Sequence, residues 1–125
     1  MNKLIFFVDD DKMILNLLEY TFQSREKYDV KSFHSGEECL ESMDENPDLI
    51  VLDHILGGGK ESSMNGMETL EKIKLINKDV PVVILTGHAS DELLAEFMDK
   101  GASRFLTKDD YFIDSLIETI GEVLH

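Results

Sequence analysis

Leu4-Ile5-Phe6-Phe7-Val8-Asp9-Asp10-Asp11 reads as five apolar residues closed by three acids. A run this short and this uniformly apolar fits a strand covered on both faces, because a half-exposed strand would alternate with polar residues. Two more runs share that character: Leu49–Leu52, closed by Asp53, and Val80–Leu85, closed by Thr86. Weaker, more polar runs at Tyr28–Phe33 and Ser103–Thr107 bring the strands to five.

Helical periodicity fills the intervals. It is clearest in Ile14, Leu17, Leu18, Thr21 and Phe22, then in Leu93, Leu94, Phe97 and Met98, and again in Ile113, Leu116, Ile117, Ile120 and Leu124. Ser35-Gly36-Glu37-Glu38 has the form of a capping box opening a second helix, with Leu40, Met43 and Cys39 turned inward. A third helix is expected from about Gly66 to Ile76. Repeated strand–helix alternation predicts an α/β fold with a doubly wound, five-stranded parallel sheet, since parallel neighbours need crossover connections. The apolar runs become the central strands 1, 3 and 4, and the polar ones become the edges. Right-handed crossovers then give the order 2-1-3-4-5, a flavodoxin-like (βα)5 architecture whose ligands bind at the carboxyl ends of the strands, near strand 1.

Composition narrows the functional classes. The 125 residues suit one domain, 1–125, and 42% hydrophobic with 30% charged residues describes a globular chain rather than a disordered one. The longest apolar run is far short of the ~20 residues a bilayer span requires, so no membrane association is expected. A formal charge of −14 argues against direct nucleic-acid binding. The lone Cys39 cannot form an internal disulfide, which fits a reducing, cytoplasmic location. His34, His54, His88 and His125 have no ligand spacing and are expected to be surface or loop residues. Gly57-Gly58-Gly59-Lys60 is not a nucleotide-binding loop, because His54 and Glu61 stand where Gly and Ser/Thr are required.

The strand ends carry the chemistry. Asp9, Asp10 and Asp11 follow strand 1, Asp53 closes strand 3, Thr86 closes strand 4 and Lys108 follows strand 5, so the predicted topology brings them to one rim. Asp11 is assigned to the N-cap of the first helix. Crowded carboxylates repel one another and call for a counter-charge, and an all-oxygen set suits Mg²⁺. Phosphoryl transfer needs an in-line nucleophile, a metal on phosphoryl oxygens and fixed groups that take up the remaining charge. Asp53, Mg²⁺, Lys108 and Thr86 supply those roles.

These residues, within Phe7-Val8-Asp9-Asp10-Asp11, Leu49–Asp53, Asn65-Gly66-Met67-Glu68, Val82–Thr86 and Gly101–Lys108, resemble the receiver domains of two-component response regulators over essentially the whole chain. The resemblance implies that Asp53 accepts phosphate from a histidine kinase or a histidine phosphotransfer protein. It implies a Mg²⁺ site made by Asp9, Asp10, Asp53 and the backbone carbonyl of Ile55. Thr86 and Phe105 would form the switch, and helix 4, strand 5 and helix 5 would contact a downstream protein. With no further segment after the last helix, a stand-alone receiver is expected. Because Phe105 has no hydroxyl, its part in the switch would work through packing. Ile55 and His88 would flank the approach of a hydrolytic water, and the apolar Ile55 implies a long-lived phosphorylated form.

The sequence departs from the family pattern between Asp53 and Gly66, where the connection is long, and at Asp109, where the family has a proline joined through a cis bond. Two outcomes follow for Asp109: a trans bond that aims Lys108 elsewhere, or a cis bond forced by the site. Two alternative functions also stand at this level. One is a haloacid-dehalogenase-like phosphatase using Asp9 and Asp11, Thr86, Lys108 and the Asp109-Asp110 pair. The other is a receiver-like binding module that is never phosphorylated.

Overall fold

The computed structural model describes residues 2–54, 64–87 and 90–124. Its strands are β1 (Lys3–Val8), β2 (Tyr28–Phe33), β3 (Leu49–Asp53), β4 (Val82–Thr86) and β5 (Arg104–Thr107). They form one sheet in the order β2-β1-β3-β4-β5, and every neighbouring pair is parallel. The helices are α1 (Lys12–Gln23), α2 (Gly36–Glu41), α3 (Gly66–Ile76), α4 (Asp91–Asp99) and α5 (Phe112–Val123), with a 3₁₀ turn at Met43–Glu45. Among the described residues no helix is long and apolar enough to cross a membrane.

The uninterrupted apolar strands are explained by two separate cores. Ile5, Phe7, Leu49, Val51, Val83 and Leu85 pack with Leu15, Leu18 and Phe22 of α1 and with Leu116 and Ile120 of α5. The alternate residues Phe6, Val8, Ile50, Leu52, Val82 and Ile84 pack on the other face with Cys39, Leu70, Ile73 and Phe97. Successive side chains of a strand point to opposite faces, so only a sheet covered twice makes every position apolar. Burial pushes the Cys39 thiol up to about 12, as befits a residue that serves as a small hydrophobe.

Several local expectations change. Leu17 lies outside the buried stripe of α1 and is exposed, while Leu15 takes its place. The fourth strand begins at Val82 rather than Val80, because Pro81 has no N–H for a ladder and contributes only a carbonyl, which accepts from the Ile50 N–H at 3.0 Å. Met43 is buried, but from the 3₁₀ turn rather than from α2. Ser35 caps α2 by accepting from the Glu38 N–H, yet the Glu38 carboxylate turns to the His34 N–H, so the box does not close there. A closed capping box opens α3 instead, between Asn65 and Glu68.

Candidate functional site

Parallel pairing sets the rim. Val8 is opposite Leu52, Asp53 opposite Leu85 and Thr86 opposite Thr107, so the residues closing β1, β3, β4 and β5 end at one level. Asp9 and Asp53 are buried, at 3% and 7% exposure, and Asp10 is exposed beside them. Carboxylate oxygens of Asp9, Asp10 and Asp53 lie within 4.8 Å of one another. Asp11 stands apart as the N-cap of α1, its Oδ1 accepting from the Met13 N–H at 2.9 Å.

Asp9 is oriented at both oxygens. Its Oδ1 accepts from the Asp11 N–H at 2.9 Å, and its Oδ2 accepts from Lys108 Nζ at 2.9 Å. The same ammonium donates to Asp53 Oδ1 at 3.3 Å. Burial alone would lower the Lys108 pKa, but the hydrogen bond to Asp9 and the charges of Asp9 and Asp53 outweigh it and leave it raised. Lys108 is shared between the Asp9 and Asp53 carboxylates, with the Asp10 carboxylate beside them. Among the described residues the cluster offers hard oxygen donors and fits Mg²⁺, held by Asp9, Asp10 and Asp53.

Among the described residues no peptide bond is cis, so Lys108–Asp109 is trans. Lys108 nevertheless reaches the acids, because its own N–H donates to the Thr86 carbonyl at 2.7 Å and fixes its start at the rim. Asp109 turns away. Its Oδ1 accepts from the Tyr111 N–H at 2.9 Å, and its carbonyl accepts from the Phe112 N–H, tying the loop to the start of α5.

Thr86 is fully buried at the end of β4, and its hydroxyl lies 3.1 Å from Nδ1 of His54. His54 follows Asp53, is half-buried, and stands edge-on to the Phe97 ring at 5.7 Å between centroids. Phe97 in turn packs on Phe105, at 6.0 Å. Thus Phe105 belongs to the core layer beneath the rim, while His54, expected as a surface or loop residue, is engaged with Thr86. Its only sequence signal was its place next to Asp53. Gly66 also shapes the site, a role with no sequence signal beyond its place at the start of α3. Its N–H donates to the His54 carbonyl at 3.2 Å, and a Cβ there would fall 2.6 Å from the Asp53 carbonyl oxygen, so only glycine lets α3 start this close to the site. Ile55, His88 and Gly57–Lys60 lie outside the described residues.

A family model described as "Response regulator receiver domain" matches residues 5–120. The chain is 39% identical over 109 residues to the alkaline phosphatase synthesis transcriptional regulatory protein PhoP of Bacillus subtilis (strain 168), covering 86% of this chain and 43% of that protein. It is 30% identical over 125 residues to sporulation initiation phosphotransferase F of the same organism, covering 99% of this chain and 95% of that one. It spans less than half the length of the transcriptional regulators it matches. Among solved structures, the beryllofluoride-activated DrrB receiver domain superposes with a TM-score of 0.85 at 29% identity, covering 99% of this chain and 98% of that one.

Proposed function

The chain belongs to the response regulator receiver domain family, and from that premise we propose that Asp53 is its phosphoacceptor, with residues 1–125 acting as one receiver unit. The observation that carries this is the buried Asp53 carboxylate, held beside Asp9 and Asp10 with Lys108 Nζ on its Oδ1. An Asp53 oxygen attacks the phosphorus of a phosphohistidine, a P–O bond forms, and the P–N bond breaks with its electron pair left on the imidazole nitrogen. When bound, Mg²⁺ neutralises charge on phosphoryl oxygens and orients the group for in-line attack. Lys108 then serves as a point charge for a phosphoryl oxygen, and the Thr86 hydroxyl as a hydrogen-bond donor to another. This is chemistry that the domain performs on itself, distinct from turnover of a separate substrate.

Partners follow in kind: histidine kinases or histidine phosphotransfer proteins upstream and an effector protein downstream. That the relative matched nearly end to end is named a phosphotransferase supports a place in a phosphorelay. The downstream face is assigned to α4, β5 and α5, a reading supported by the exposed Leu94 and Met98 of α4 beside the edge strand β5. The phosphatase alternative is set aside, because it gives Asp53 no role although Asp53 belongs to the acid cluster. Acetyl phosphate with Mg²⁺ should add one phosphoryl group to the wild type and none to Asp53→Asn, followed by intact mass. Equal uptake by the variant, or uptake indifferent to chelation of Mg²⁺, would overturn the assignment.

A further inference from the structure

Thr86 has one hydroxyl proton, and a phosphoryl oxygen can only accept. The donor role described above therefore requires that this proton be available when Asp53 is phosphorylated. In the structure the hydroxyl lies 3.1 Å from His54 Nδ1. An imidazole whose Nδ1 carries no proton accepts the Thr86 proton and competes with the phosphoryl group for it. The same ring stands perpendicular on Phe97, which packs on Phe105 of β5. Thr86, His54, Phe97 and Phe105 thus form a continuous line of contacts from the site to the β5 edge, and His54 is its one polar-to-aromatic junction.

We propose that His54 is a positioning residue that holds the Thr86 hydroxyl in the resting domain, and whose ring, once phosphorylation draws that hydroxyl away, passes the change through Phe97 to Phe105. This rests on the reading of Asp53 as the phosphoacceptor. It gives the packing of Phe105 a route to the Thr86 hydroxyl through Phe97. Coupling along the line is measured by testing the two halves of His54 separately. His54→Phe keeps a ring against Phe97 and removes the nitrogen. His54→Asn keeps a polar atom near the position of Nδ1 and removes the ring.

The probe is beryllofluoride with Mg²⁺, a phosphoryl mimic, titrated into the full chain, with the Phe105 ring resonances followed by NMR. Releasing one neutral hydrogen bond should tighten binding of the mimic by about three- to tenfold in His54→Phe. Phe105 of this variant should already lie, without the mimic, part of the way to its bound position in the wild type. His54→Asn should bind as the wild type does, but its Phe105 response should fall by half or more. In a Thr86→Val background His54→Phe should have no further effect on affinity, since no hydroxyl remains to be held. Imidazole ¹⁵N shifts should report an unprotonated Nδ1 at rest. Unchanged affinity in His54→Phe, or a change that persists without the Thr86 hydroxyl, would overturn the proposal while leaving the Asp53 assignment intact. Binding of the mimic that Asp53→Asn does not abolish would overturn that assignment, and this proposal with it.

Discussion

Two partly buried lysines sit at opposite ends of β4 and are used in opposite ways. Lys108, at the carboxyl end, donates to the Asp9 and Asp53 carboxylates at 2.9 and 3.3 Å. Lys74, near the amino end, donates to the backbone carbonyls of Val80 at 2.6 Å and Lys78 at 3.3 Å. Burial lowers the Lys74 pKa, with the Asp79 charge offsetting part of the effect, whereas around Lys108 the two acids reverse the sign. Lys74 closes the turn between α3 and β4, and its methylenes lie 3.3 to 3.6 Å from where a Cβ on Gly101 would be, a residue at φ +108°. One lysine is bound to a turn of the scaffold. The other occupies the place where a phosphoryl group and a metal would bring their own charges.

The contrast is sharpest in metal-free buffer. Removing Lys108 takes away an ion-pair partner of the buried Asp9 and Asp53 carboxylates, and stripping the partner from a buried ion pair is costly. Lys108→Ala should therefore lose about 2 kcal/mol in urea unfolding with chelator present, less than for a fully buried pair because the Lys108 side chain is 19% exposed. Mg²⁺ binds the native cluster and should narrow that gap. On the proposed mechanism Mg²⁺ would carry most of the transfer chemistry and Lys108 the reporting, so phosphorylation of this variant should still proceed while its chemical-shift changes over α4 to α5 shrink. Unchanged shifts would make Lys108 as passive as Lys74.

Lys74→Ala should have a smaller effect, about 1 kcal/mol, from two carbonyls that lose their donor to water and from lost packing at Gly101. Here Mg²⁺ should leave the gap as it was. If the metal narrowed both gaps equally, the scaffold end and the site end of β4 would not be separable.

How far this contrast was legible in the sequence follows from what each lysine touches. Lys108 was readable because β1, β3, β4 and β5 end together in any parallel sheet of this order, so residues just past the apolar runs had to meet. The same logic brought out Asp9, Asp10, Asp53 and Thr86. Lys74 gave no such signal: its acceptors are carbonyls in its own following turn, which any sequence offers. His54 escaped for a related reason. The strand pattern puts it at the rim, but whether its ring meets the Thr86 hydroxyl depends on a rotamer and on the Phe97 surface beneath it, neither of which has a sequence period. The sequence leaves the Lys108–Asp109 bond open between cis and trans; the bond is trans, and Lys108 reaches the acids because its N–H is anchored on the Thr86 carbonyl, a contact with no sequence signal.

The smallest effect separates the two lysines by sign. A group whose folded pKa is lowered is charged more readily in the unfolded chain, so between the folded and unfolded values the unfolded state holds more protons and stability rises with pH. For Lys74 that window lies below the ordinary value of 10.5, and the wild type should gain on Lys74→Met as the pH climbs toward it. A raised folded pKa acts in the other direction. The stability that Lys108 contributes is complete below 10.5 and is lost only as the pH passes above that value, through the folded one. Urea unfolding of wild type, Lys74→Met and Lys108→Ala in chelator, between about pH 8 and 10.5, should show the first difference widening while the second stays level. A first difference that stays flat would mean that the ammonium of Lys74 loses nothing by its burial, and the asymmetry between the two ends of β4 would then lie in partner identity alone.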